Sequence, residues 1–124
     1  MDNYRIEAAD DTPEIHLDAQ NLFFRIAGTS TPENAVEFYA PVIDWIEANK
    51  KSLKDKLICE FNFKYLSSSS HKMIYEILSQ LEELIHNGKG VEVIWKYKDI
   101  DEDMQEVGED FSALLKIPFK FITL

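Results

Sequence analysis

Tyr65-Leu66-Ser67-Ser68-Ser69-Ser70-His71-Lys72 sets four consecutive hydroxyls between two segments of different periodicity. Before it, Leu57-Ile58-Cys59-Glu60-Phe61-Asn62-Phe63 is rich in large apolar and aromatic residues, as a buried or half-buried strand requires. After it, Ile74, Ile77, Leu78, Leu81, Leu84 and Ile85 recur at helical spacing. The serines therefore occupy a strand-to-helix turn and the first helical turn. Backbone N–H groups without partners and the positive end of the helix dipole favour an anion there.

Toward the N-terminus, Tyr4 to Ala8 and Glu14 to Leu17 are short alternating segments separated by the polar connection Ala9-Asp10-Asp11-Thr12-Pro13. Leu22 to Ala27 is a stronger strand that stops at Gly28, and the three together predict an antiparallel meander. Thr29-Ser30-Thr31-Pro32-Glu33 has the form of a helix start, with a hydroxyl cap, proline at the first helical position and an acid in the first turn. The helix runs to about Lys50, with Val36, Tyr39, Ile43 and Ile46 as its apolar stripe and Val42 beside it. Pro41 removes one hydrogen bond inside it. Phe38 and Trp45 fall partly off that stripe, which makes them edge or docking aromatics.

Beyond the serine helix, which ends at His86-Asn87-Gly88 with Gly88 suited to a left-handed cap, Val91 to Tyr97 reads as a strand. Asp99-Ile100-Asp101-Glu102-Asp103 opens a third helix whose buried face is Met104, Val107, Phe111, Leu114 and Leu115. Pro118 ends the helical pattern and Phe119 to Thr123 alternates as a last strand. The order is β-β-β-α-β-α-β-α-β, an α/β (α+β) domain spanning 1–124. Helices inserted between later strands imply crossovers, hence a mixed sheet with helices packed mainly on one face.

At 124 residues with 45% hydrophobic content the chain can bury a core of its own. Thirteen basic against 23 acidic residues, a formal net of -10, exclude the basic footprint that nucleic acid or an anionic membrane demands, and favour a protein partner. Cys59 is the only cysteine and lies in an apolar strand, so no intramolecular disulfide forms, as suits a reducing compartment. Met1-Asp2-Asn3-Tyr4-Arg5 lacks the pattern of a signal peptide and no apolar run approaches a membrane span, giving the expectation of a cytoplasmic protein.

Other motifs are weaker. Ser69-Ser70-His71-Lys72 fits S-x-x-K, but the companion S-D-N and K-T-G motifs of penicillin-recognising enzymes are absent. Asp99, Asp101 and Asp103 imitate a calcium loop, yet Met104 stands where glycine makes the turn, so helix-start acids account for them better. His16, His71, His86 and Cys59 have no zinc spacing, and no cofactor is expected. For the serine run itself, one hydroxyl, Ser67 or Ser68, is needed as a helix cap. The remaining hydroxyls sit where a phosphate is stabilised.

Several elements together carry a family resemblance. They are Thr12-Pro13, Pro32-Glu33-Asn34, Val42-Ile43-Asp44-Trp45-Ile46-Glu47, Tyr65-Leu66 before the hydroxyls, Ser69-Ser70 then Lys72, Leu81-Glu82-Glu83, and Trp95-x-Tyr97. In these the chain resembles the SiaC family of bacterial regulatory phosphoproteins, and its layout looks like the STAS domains of anti-sigma-factor antagonists. The resemblance implies a non-enzymatic partner-switching protein, phosphorylated by a cognate kinase, released by a PP2C-type phosphatase, and in some members activating a diguanylate cyclase when unphosphorylated. By motif position the acceptor is Ser68. The family commonly has Asn where this chain has Ser67, which leaves Ser67 as a rival acceptor.

The expected docking face is Tyr65, Ser69, Ser70, His71 and Lys72, with Trp45 and Trp95 as further anchors. No small-molecule substrate, nucleic acid or membrane partner is expected. The alternatives from other classes are a small enzyme using the Ser67–Lys72 turn as nucleophile or phosphate site, and a structural subunit whose serines only cap a helix.

Overall fold

The computed structural model describes residues 3–124; Met1 and Asp2, the start of the segment read as lacking a leader, lie outside them. Six strands and three helices follow one another as β1 Asn3–Ile6, β2 Glu14–Asp18, β3 Phe23–Ser30, α1 Ala35–Asn49, β4 Leu57–Leu66, α2 Ser68–His86, β5 Val91–Tyr97, α3 Glu102–Leu114 and β6 Phe119–Thr123. This is the order expected from sequence. The strands form one sheet in chain order, antiparallel from β1 to β3 and parallel from β3 to β6.

That topology fixes where the helices go. Each parallel step needs a crossover, crossovers are right-handed, and a strand order that always advances the same way puts every crossover on one face. Burial follows. Phe24, Cys59 and Val93 align across three strands, as do Ile26, Phe61 and Trp95, and all six are buried. Trp45 of α1 lies against Phe24 with ring centroids 6.0 Å apart, and Phe111 of α3 meets Trp95 edge-on at 5.8 Å, so both helices cover the same face. Ile74, Ile77, Leu78, Leu81 and Leu84 of α2 complete this core.

The opposite face carries Arg25, which pairs with Glu14 at 3.0 Å and with Glu60, while Glu60 also receives Lys96 at 3.0 Å. Charges alternate across four strands, and these side chains stay partly exposed. No helix among the described residues is long and apolar enough to cross a membrane.

Several boundaries and faces differ from the sequence reading. Thr29 and Ser30 belong to β3, pairing with Tyr65 and Leu66, so β4 extends to Leu66 and Thr29–Pro32 is not the start of α1. The cap is Asn34, whose Oδ1 accepts from Glu37 N at 3.0 Å. The inward stripe of α1 runs Ala35, Tyr39, Val42, Trp45/Ile46 and Asn49. Val36 is 66% exposed, whereas Trp45 is 1% exposed and sits in the core. Ala35 and Asn49 mark the true stripe but are not apolar enough to announce it; Asn49 is tolerated because its Nδ2 donates to Trp45 O. Pro41 lies inside α1 as read.

At the end of α2, Gly88 adopts φ 85° and its N–H bonds Ile85 O while Lys89 N–H bonds Leu84 O, the cap expected of it. In α3 the buried face is Met104, Gly108 and Phe111, with Leu115 just past the helix, while Leu114 is 68% exposed. Gly108 gave no apolar signal, yet it is buried directly against Trp95 of β5. A Cβ there would lie 2.5 Å from Trp95 Cδ1 and Nε1. Trp95 cannot retreat, because it is fully buried and its indole N–H donates to Met104 O at 3.0 Å.

Gly108→Ala should therefore destabilise the fold by ~1–3 kcal/mol through overpacking, despite alanine's better helix propensity. Urea denaturation monitored by tryptophan fluorescence checks this, and a gain in stability would show that α3 does not rest on Trp95.

Candidate functional site

Parallel strands all end at the same edge of a sheet, so the helices that follow them begin there. The caps of α1, α2 and α3, Asn34, Ser67 and Asp101, follow the C-terminal ends of β3, β4 and β5 in turn. Glu37 stands in the first turn of α1, and Glu102 and Asp103 in that of α3. The first turn of α2 has no acid and is built from serines. Its dipole is not offset by a carboxylate from its own first turn.

The four serines are not equivalent. Ser67, half-buried, is the cap: its Oγ accepts from Ser70 N at 3.2 Å, its carbonyl accepts from His71 N at 2.8 Å, and its own N–H reaches Ser30 O at 3.0 Å. The Ser67 hydroxyl also donates to Ser70 Oγ at 3.0 Å. Ser70 is fully buried, and its Oγ receives a second hydroxyl, that of Ser30, at 2.8 Å. Ser30 is in turn 2.6 Å from the Tyr39 hydroxyl. Ser69 is exposed, 3.3 Å from Ser67 Oγ. Ser68 is exposed, and among the described residues its side chain makes no hydrogen bond within the protein.

Because Ser30 gives its proton to Ser70, the Tyr39 phenol must donate to Ser30. Burial raises the Tyr39 phenol above its ordinary value of 10.0, against the smaller lowering effect of the Ser30 hydrogen bond. The phenol stays protonated and remains a donor. Burial likewise pushes the Cys59 thiol well up, so it is not a thiolate nucleophile.

The surface around Ser68 is mixed. Tyr65 is 58% exposed, Lys72 is exposed, and His71 is half-buried with its ring tilted over Phe111 at 4.7 Å. Tyr65, Ser68, Ser69, His71 and Lys72 thus share one surface. Ser70 does not join it, and a residue needed to fill two hydroxyls cannot also face a partner. Trp45 and Trp95 are both buried in the core, so neither is a docking anchor. Asp101 Oδ1 accepts from Met104 N at 3.0 Å, which accounts for the calcium-like aspartates by capping; no cluster that could hold a metal ion occurs among the described residues.

Sequence reasoning missed Ser30, Tyr39 and Tyr75 as parts of this region. Ser30 was legible in principle, since the period of two through Phe24 and Ile26 reaches it once β3 is continued. Tyr39 gave only a core signal. Tyr75, 39% exposed, lies one turn beyond His71 and Lys72 and extends the same face over Phe111.

The assignment of caps predicts unequal serines. Ser67→Ala should cost ~1 kcal/mol or more, while Ser68→Ala should stay within ~0.5 kcal/mol of the parent, both by urea denaturation. Tyr39→Phe gives a pH test. A raised folded-state value means stability fully present below about pH 10 and lost as pH rises beyond it. The alkaline loss of stability should be shallower in Tyr39→Phe; an unchanged alkaline limb would remove the buried phenol from the account.

Residues 6–124 match the family described as SiaC family regulatory phosphoprotein. An uncharacterized protein of Pseudomonas aeruginosa strain UCBPP-PA14 is 33% identical over 119 residues, covering 96% of this chain and 94% of that protein. Among solved structures, SiaC of Pseudomonas aeruginosa superposes with TM-score 0.91 at 31% identity over the full length of both chains. The crystal structure of the diguanylate cyclase SiaD in complex with its activator SiaC, from the same organism, contains a chain matched at TM-score 0.91 and 31% identity, with 98% of this chain and 99% of that one covered.

Proposed function

The chain belongs to the SiaC family of regulatory phosphoproteins, and we propose that it is a non-enzymatic partner switch whose Ser68 hydroxyl is the phosphate acceptor. In this reading residues 1–124 act as one cytoplasmic domain. A cognate kinase modifies Ser68, a PP2C-type phosphatase restores it, and the unphosphorylated surface binds an effector protein. By analogy with the SiaD complex of the Pseudomonas aeruginosa relative, the effector is a diguanylate cyclase.

One observation carries the choice of acceptor: of the serines in the turn, Ser68 is exposed and makes no hydrogen bond within the protein among the described residues, whereas Ser67 and Ser70 are engaged in capping and burial. A phosphate on Ser68 would stand at the first position of α2, in a turn without acids. It adds about -1.5 to -2 charges at neutral pH and is stabilised there by unsatisfied N–H groups and the helix dipole. The fold therefore has no reason to reject it. An effector docked over Tyr65, Ser69, His71, Lys72 and Tyr75 does, because the same charge must be desolvated or placed against its surface.

Two expected outcomes test the reading. Incubation with the cognate kinase and ATP, followed by phosphosite mapping, should place phosphate on Ser68, and Ser68→Ala should abolish incorporation; undiminished incorporation would sink the assignment. In pull-downs from the native cell, Ser68→Ala should retain a diguanylate cyclase that Ser68→Asp loses. Retention by both variants would count against an electrostatic switch.

A further inference from the structure

We propose that Ser30, Ser70 and Tyr39 are positioning residues that direct phosphorylation to Ser68 by holding the neighbouring Ser67 hydroxyl in a buried hydrogen-bond chain. The inference rests on the reading of Ser68 as acceptor. Ser67 and Ser68 are adjacent hydroxyls of the same chemistry in one turn, and a kinase approaching along an extended segment meets both. Something in the protein has to tell them apart.

The chain of donors supplies the difference. Tyr39 donates to Ser30 across 2.6 Å, Ser30 donates to Ser70 across 2.8 Å, and Ser67 donates to Ser70 across 3.0 Å. Ser70 Oγ thereby accepts twice, which uses both of its lone pairs. The Ser67 hydroxyl donates to Ser70 Oγ and takes the Ser70 N–H on one lone pair, with the Ser69 hydroxyl farther off at 3.3 Å. Ser30 and Ser70 are fully buried, so water cannot substitute for either. The phenol, held protonated by its burial, closes the far end.

Phosphoryl transfer needs what Ser67 lacks. The serine Oγ forms a bond to the γ-phosphorus of ATP as the bond from that phosphorus to the ADP oxygen breaks, and the hydroxyl proton passes to the kinase's catalytic base. At Ser67 the proton faces Ser70 and the oxygen is turned toward its own helix. Bringing it out breaks the O–H···O contact and the cap together, a penalty on the order of tenfold in rate for each hydrogen bond lost. At Ser68 no such contact has to break.

Ser70→Ala is the sharpest variant, because it removes the acceptor of the Ser67 proton while the backbone N–H of residue 70 can still make the cap. Tyr39→Phe removes only the far donor, leaves every serine in place, and carries the same test should Ser70→Ala fail to fold by circular dichroism. Both variants and the unaltered chain are phosphorylated by the same cognate kinase with ATP, and the phosphate is assigned by fragmentation mass spectrometry. The expected result is phosphate overwhelmingly on Ser68 in the unaltered chain, a minor Ser67 share that rises about tenfold in Ser70→Ala, a smaller rise in Tyr39→Phe, and no rise at Ser69. Phosphate confined to Ser68 in both variants overturns the inference and leaves the Ser68 reading standing. A parallel rise at Ser69 means general loosening of the turn and also overturns it. Phosphate chiefly on Ser67, or on neither serine, in the unaltered chain overturns both.

Discussion

A buried hydroxyl without a partner is costly, by ~1–3 kcal/mol, and the start of α2 is arranged around that constraint. Ser70 is wholly enclosed where β3, α1 and the serine turn meet. Its burial is tolerated because Ser30 and Ser67 both reach it, and Ser30 is supported in turn by Tyr39. The same contacts join the end of β3 to the first turn of α2 and to α1. They determine which serine faces inward, and by exclusion which faces out. What reads in sequence as four interchangeable hydroxyls is in three dimensions a cap, a buried hub and two exposed positions.

The architecture that brings these groups together follows from strand order. With β3 to β6 parallel and in sequence order, right-handed crossovers send all three helices to one face and their N-termini to one edge. The covered face becomes an aromatic core centred on Phe61 and Trp95, stacked at 5.8 Å. The uncovered face is held by alternating charges. The edge is then the natural place for a regulated surface, since helix starts there offer unsatisfied donors on a rigid base.

Much of this was legible in the chain itself. Strong periodicity gave α2 and β4 and β5 their places, and glycine chemistry gave the end of α2 at Gly88. The misreadings share one physical origin: residues whose burial depends on a distant partner rather than on their own hydropathy. Thr29 and Ser30 read as a helix cap because strand pairing with Tyr65 and Leu66 is not local. Trp45 read as an edge or docking aromatic because Ala35 and Asn49, which lie at the ends of the true stripe of α1, carry little apolar signal. Gly108 was invisible because its role is to be absent, leaving room for Trp95. At the site, motif position pointed to Ser68 with Ser67 as a rival, and it is the hydrogen bonds among Ser30, Ser67 and Ser70 that make the two hydroxyls unlike.

The central claim is that charge placed on a pre-built surface, without refolding of the domain, decides which partner is held. Calorimetric titration of a diguanylate cyclase with the unmodified chain and with chain stoichiometrically phosphorylated on Ser68 tests it most directly. The account predicts binding by the unmodified chain and an affinity lower by at least about tenfold for the phosphorylated one, with both forms giving the same far-ultraviolet circular dichroism. Equal affinities, or a loss of affinity accompanied by a changed spectrum, would contradict it.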